Sequence, residues 1–396
     1  MTTVVVAGAL ANKPGNGGEA WVRMSWARGL ARLGFDVWFV ETLAEPLAAD
    51  PEARDRASRF FREVTAANGF ADRRALRIDG RVAGISDAEW DDLGDECDLL
   101  VNISGHLGRD PWFDRIPHRV YVDLDPGYTQ IWDAQGLLGT RIADHTHHYS
   151  VGLNLGTAEC SIPTGDVAWR PVLQPVVLED WGVGETRSDT AGDPGDADSG
   201  GRTEDLRFTT IASWRGAFGP LNHDGRTYGV KAHEWRRFRA LPTLARPHRF
   251  EAALAIHPSD IDDRKALERA GWALEDPAAR AGSPGAYREY VTESDAEFSV
   301  AQGIYVDTAS GWFSDRTARY LASGRPALVQ DTGFGRVIPA DEGILTFTTL
   351  GEAVEGVKAI ARDYDRHARA ARRLAETRFD ADIVLGGMLE DLDLCP

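Results

Sequence analysis

Ser310–Gly335 reads SGWFSDRTARYLASGRPALVQDTGFG. Ser310-Gly311 is a turn pair. Ser314 stands where an N-cap belongs, since its hydroxyl can accept from the N–H groups that open a helix. The spacing predicts a helix over Ser314–Ser323 that Gly324-Arg325-Pro326 ends. Glycine is favoured just past a helix, and proline cannot continue one. A strand Ala327–Gln330 follows, then a polar turn, Asp331-Thr332-Gly333. The first turn of a helix leaves N–H groups unpaired at the positive end of its dipole, which suits a diphosphate. Ser314 adds a hydroxyl there and Arg316 a positive charge. A capped surface helix between two strands fits the same local pattern.

Strands and helices alternate on both sides of this stretch. Thr3–Ala7 is a β-branched apolar run of the kind found in buried parallel strands. Because a Gly-rich turn follows it at once and no basic segment precedes it, it is read as a first strand and not a leader peptide. Asn12–Gly18 is loop, Glu19–Leu33 is apolar at helical spacing, Gly34 stops that helix, and Val37–Glu41 is a second strand. Such a strand–helix–strand unit is a βαβ element. Further strands are expected at Leu76–Ile78, Leu99–Ile103, Arg119–Asp123 and His147–Val151, with helices at Phe60–Asn68 and Asp87–Leu93. The Pro-interrupted Trp169–Val177 suits a crossing between domains, and the acidic, Gly/Ser-rich Glu185–Asp205 is expected to be disordered.

Alternation then resumes. Strands are expected at Phe208–Ser213, Glu251–Ile256, Ala296–Val300 and Ile344–Phe347. Helices are expected at Val230–Arg239, Asp263–Ala270, Tyr287–Ser294 and Leu350–Thr377. Two doubly wound α/β domains are implied. The length of 396 residues also exceeds what one core sustains, about 250–300. The expected boundaries are 1–178, the loop 185–205, the second domain 206–375, and a C-terminal helix 376–396 packing back on the first domain.

The formal charge of −18 argues against a nucleic-acid partner, which needs a basic face, although a local Arg/Lys cluster can still hold a phosphorylated ligand. The three cysteines form no CxxC pair, which points to a reducing cytoplasm. No apolar run nears the ~18 residues of a membrane span. Abundant Arg, Gly, Asp and Ala with few Lys suit a bacterial, GC-rich genome.

The helix, Ala322-Ser323-Gly324-Arg325-Pro326 and the next strand together resemble the small-small-Gly-x-Pro signature in the C-terminal domain of GT-B glycosyltransferases. The first strand, the Gly15–Gly18 loop and Gly34-Phe35-Asp36-Val37 look like that family's opening motif. In layout the resemblance covers nearly the whole chain; only Ser310–Gly335 is specific. It implies two Rossmann-like doubly wound parallel-sheet domains facing a cleft. It also implies transfer of a sugar from a nucleoside diphosphate sugar to a small-molecule acceptor such as a natural product. A nucleotide-sugar epimerase or hydrolase on the same fold, or a non-catalytic sugar-binding protein, are the alternatives.

The resemblance implies that Ser314, Asp315, Arg316 and Lys231 hold the donor's nucleotide and diphosphate, and that Gln330 and Asp331 contact its sugar. It also implies that Trp272 contacts the nucleobase. Many GT-B enzymes grip the donor ribose with a Glu five residues before the helix-ending Gly; here that position is Arg319. Asp315, one turn earlier, is the candidate substitute; otherwise the nucleotide is held differently. An inverting enzyme also needs a general base for the acceptor hydroxyl. Asp125 and His106, just beyond the expected strands Arg119–Asp123 and Leu99–Ile103, are the candidates, although both also suit turn capping. Asp144-His145-Thr146-His147-His148 lacks a completing carboxylate array, so no metal is expected, and no cofactor beyond the donor substrate.

Overall fold

The structure is a computed structural model that describes residues 2–108, 112–182 and 205–395. The expected acidic loop therefore lies outside the described residues, apart from Asp205. The chain divides into two compact units. Unit 1 comprises Met1–Val177, Ser310–Phe313 and Phe379–Pro396; unit 2 comprises Leu178–Ala309 and Ser314–Arg378. No helix among the described residues is long and apolar enough to cross a membrane.

Unit 1 is built on an eight-stranded sheet. Its strands are β1 (Thr3–Ala7), β2 (Asp36–Thr42), β3 (Arg74–Ile78), β4 (Arg81–Ala83), β5 (Cys97–Ile103), β6 (His118–Asp123), β7 (His147–Ser150) and β8 (Trp169–Pro171). Their spatial order is β4-β3-β2-β1-β5-β6-β7-β8, and only β3–β4 is antiparallel. Val4, Val5, Val6 and Ala7 are fully buried, as expected for a central strand covered on both faces. The helix Gly17–Arg32 opens on Asn16, whose side chain accepts from Glu19 N. It packs on the C-terminal helix Ala381–Asp391: a Cβ at Gly29 would lie 2.4 Å from Leu385 Cδ1, so the absent side chain allows the close approach.

Unit 2 carries β9 (Arg207–Ser213), β10 (Leu221–His223), β11 (Arg226–Tyr228), β12 (Arg249–Ala255), β13 (Trp272–Glu275), β14 (Ala296–Ser299), β15 (Ala327–Gln330) and β16 (Ile344–Phe347). β10 and β11 form a separate hairpin; the other six form a wholly parallel sheet, β13-β12-β9-β14-β15-β16. Counted along the chain, that is the 3-2-1-4-5-6 order of a Rossmann domain. Such sheets bind ligands beyond the strand C-termini, where the order reverses. The reversal falls between β1 and β5 in unit 1 and between β9 and β14 in unit 2.

Two expectations change. Ser310–Phe313, expected within the second domain, packs with unit 1: Asn154 N donates to Ser310 O at 3.1 Å, and Trp312 pairs with Gly152. The expected helix Leu350–Thr377 is two helices, Leu350–Arg362 and Tyr364–Leu374, because Asp363 leaves helical geometry at φ −140°.

Candidate functional site

In unit 2 the helix Asp315–Ala322 begins at the reversal point. Ser314 caps it, its Oγ accepting from Arg316 N at 3.3 Å. Gly324 ends it at φ +67°, with Gly324 N donating to Leu321 O and Arg325 N to Tyr320 O, a Schellman closure. Arg316 turns inward and spends its guanidinium on the strand ends. Nε donates to Glu297 Oε1 at 2.6 Å, Nη2 to Ser299 Oγ at 2.7 Å and Nη1 to Ile211 O at 2.7 Å. Burial opposes the charge of Arg316, but the Glu297 carboxylate and the Tyr287 and Tyr320 hydroxyls together outweigh it and hold the pKa above the ordinary value. Arg316 is thus a strut joining β9, β14 and the helix, with each of its three nitrogens already in one hydrogen bond.

Lys231 opens the helix Lys231–Phe238 and is 8% exposed, yet its ammonium has no hydrogen bond or ion pair among the described residues. Burial first, and the charge of Arg316 second, push its pKa down to about 7, against the pull of Glu297 and Asp315. These groups therefore share one field. Close by, Arg319 is fully buried; its Nη1 donates to Asp315 O at 2.6 Å and Asp315 Oδ2 at 3.0 Å. Its Nε and Nη2 have no partner among the described residues, nor does the buried hydroxyl of Tyr287. Trp181 links the two, 5.9 Å from the Arg319 guanidinium and edge-on to Tyr287. Unspent donors of this kind are rare in a folded interior.

In unit 1 the reversal point gathers Lys13, Glu19, Arg23 and His106. Glu41 accepts from Leu10 N, Ala11 N and Asn12 N at 2.7–2.8 Å and so fixes the loop that carries Lys13. Lys13 Nζ meets Glu19 Oε1 at 2.6 Å, and Arg23 pairs with the other oxygen. Burial works against the Glu19 charge, but these two cations lower its pKa to about 2. His106 is pushed down to about 3 by burial and then by Arg23 and Lys13. It is neutral at ordinary pH and far from the range in which a general base works well.

Asp125 sits half-buried beyond β6, in a turn held by Asp123. Asp123 is buried and fully satisfied, accepting from Asp125 N, Thr129 Oγ1, Gln130 Nε2 and Ser150 Oγ. The histidine run serves packing: His145 Nδ1 bonds Arg141 O, its Nε2 meets Asn102 Nδ2, and His148 Nε2 bonds Ile142 O. No group of three or more His, Cys, Asp or Glu among the described residues is placed to hold a metal.

No protein-family model matches the chain, and no curated protein sequence does. Solved structures do. AviGT4, a glycosyltransferase of avilamycin A biosynthesis, superposes with a TM-score of 0.56 at 12% identity, over 99% of this chain and 97% of its own. An alpha-glucosyltransferase in complex with UDP-glucose and DNA containing an abasic site gives 0.61 at 11% identity, over 99% of both chains. HepE from Anabaena, in complex with UDP-glucose, gives 0.56 at 11%, over 99% of this chain and 100% of its own.

This chain has the GT-B fold.

Several residues expected at a GT-B donor site have other partners. Trp272, expected at the nucleobase, is 3% exposed in the core of unit 2, its Nε1 donating to Arg239 O at 2.9 Å and its ring against Trp235 and Phe298. β13 turns that side chain toward the sheet's helices, away from solvent. Gln330, expected at the sugar, is buried between Ala301 N and Glu234, at 3.1 and 2.5 Å. Asp331 closes its own turn by accepting from Gly333 N at 2.8 Å. Lys231 lies in the field of Asp315 and Arg316, beside the Ser314 cap. Sequence reasoning passed over Glu297 and Tyr287 there, and Lys13, Glu19 and Arg23 in unit 1. A carboxylate inside the apolar run Ala296–Val300, and an acid–base pair four apart at Glu19 and Arg23, were the available signals.

Proposed function

We propose that this protein is a metal-independent glycosyltransferase that moves a hexosyl unit from a nucleoside diphosphate sugar to a small-molecule acceptor. The observation that carries this is Lys231, a buried, unpartnered ammonium in the same field as the first turn of the Asp315 helix. A diphosphate there would pair with the cation and accept from the first-turn N–H groups that the Ser314 cap leaves unpaired. Several of the similar structures hold UDP or UDP-glucose, which makes UDP the first nucleotide to test. The charge of −18 favours a small acceptor over DNA.

In the reaction a base takes the acceptor hydroxyl proton, the new C1–O bond forms, and the bond from C1 to the diphosphate breaks. Lys231 and the helix N-terminus stabilise the departing charge. Asp125 is the base. Thermal unfolding with UDP-, GDP- and dTDP-sugars tests the donor assignment, since a ligand at 100 times its Kd adds about 2.7 kcal/mol. If no nucleotide or nucleotide sugar moves the midpoint, the proposal fails. Release of free or epimerised sugar without acceptor would mark a hydrolase or epimerase. Asp125→Asn is expected to lower kcat by roughly 10²–10⁴-fold with UDP affinity unchanged; an unaltered kcat would remove Asp125 from the base role.

A further inference from the structure

The reversal point of unit 1 gathers three cations, Lys13, Arg23 and Arg141, in a chain of net charge −18. Lys13 and Arg23 share the single carboxylate of Glu19. Arg23 is 1% exposed and its Nε has no partner among the described residues. Arg141 adds a third cation that bears on His106, and it makes no side-chain hydrogen bond or ion pair among the described residues. The carboxylates nearby are Glu19 and, acting on Tyr121 together with Arg141, Asp123 and Asp125.

Arg141 is exposed, yet its stem is fixed. Gly105 follows β5 at φ +62°, and a Cβ there would stand 2.7 Å from Arg141 Cδ and 2.8 Å from Tyr121 Cε2. The side-chain-free backbone lets the arginine stem and the tyrosine ring close over the turn that carries His106. Asn102 holds the far end of that turn through Leu107 N and O, both at 3.0 Å. An arginine with a packed stem and an unspent guanidinium is preorganised, so little freedom is lost when it pairs.

We propose that Lys13, Arg141 and His106 form a subsite for an oxyanion, a carboxylate or a phosphate, so that the acceptor of this enzyme is an anionic small molecule. The word acceptor rests on the transfer reaction proposed above; the oxyanion subsite does not. An oxyanion would receive a bidentate pair from the Arg141 guanidinium.

The test uses the full chain and phenylglyoxal, with modification of Arg141 followed by peptide mass mapping and exposed Arg288 as the internal control. Saturating inorganic phosphate or benzoate is expected to slow modification of Arg141 by about tenfold, the protection a charge-assisted contact confers at high occupancy. Neutral benzamide is expected to leave it unchanged. Protection by phosphate alone or by benzoate alone identifies the kind of oxyanion. No protection by either, equal protection by benzamide, or equal slowing at Arg288 overturns the subsite. The UDP-dependent unfolding shift reads the donor assignment separately. Protection of Arg141 in a chain that ignores every nucleotide keeps the subsite and removes the transfer reaction; the converse removes the subsite alone.

Discussion

Lys231→Met is expected to weaken UDP binding by roughly 10- to 150-fold, the equivalent of about 1.5–3 kcal/mol for a hydrogen bond to a charged group. The same substitution is expected to leave the unfolding midpoint unchanged or to raise it. Both follow from one fact: the ammonium is buried without a partner. An unpaired buried charge costs the fold stability, and an unbranched apolar side chain of similar length removes that cost. Calorimetry with UDP and a thermal melt read the two effects independently. A variant that binds UDP as tightly as the parent, or that loses binding only because unit 2 unfolds, would end the assignment of Lys231 to the diphosphate.

The pH dependence has a definite sign. Burial and Arg316 depress the Lys231 pKa to about 7 in the free protein. A bound diphosphate favours the ammonium and raises that pKa, so binding above pH 7 takes up a proton. UDP affinity should be nearly flat just below pH 7 and fall again where the terminal phosphate of UDP takes up its own proton, at about pH 6. Above pH 7, affinity should fall by up to about tenfold per unit, until the pKa of the complex is reached. Lys231→Met should abolish that slope. A slope that persists in the variant would place the titrating group elsewhere.

The parts of this site that were legible from sequence are those fixed by neighbours along the chain. Ser314 as a cap, Gly324 as a stop, and the strands Ala327–Gln330 and Ile344–Phe347 depend on residues within a turn or two of each other, and the structure places all four there. What failed was side-chain destination. Gln330 is tied to Glu234, 96 positions away, and Arg316 to Glu297 and Ile211 on two other strands. Trp272 entered the core because of which face of β13 it occupies, and a lone tryptophan in a short edge strand carries no period to reveal that. Arg319 was visible only as a missing carboxylate; its burial against Trp181 depends on a segment 138 residues upstream, by the difference of the two numbers.

Arg316→Met is expected to destabilise unit 2 by about 3–5 kcal/mol, the typical cost of leaving one member of a buried ion pair alone. For a domain of that size, at about 2–4 °C per kcal/mol, the midpoint should fall by roughly 6–20 °C. Glu297 is fully buried and Arg316 Nε is its ion-pair partner at 2.6 Å, so the single change strands a carboxylate in the interior. Combining it with Glu297→Leu should recover most of the loss, because two apolar groups of similar volume replace the pair and nothing charged remains. A single variant within about 1 kcal/mol of the parent, or a double variant no better than the single, would mean that the pair does not anchor the helix. The double variant also separates strut from ligand contact. With each of its nitrogens held by Glu297, Ser299 or Ile211 and the residue buried, Arg316 is fixed to the strand ends and turned away from a phosphate. UDP affinity in the double variant should therefore stay within about threefold of the parent, less than one charge-assisted hydrogen bond, while Lys231→Met loses far more. Equal losses in the two would instead show that the guanidinium leaves its strand-end partners to meet the diphosphate.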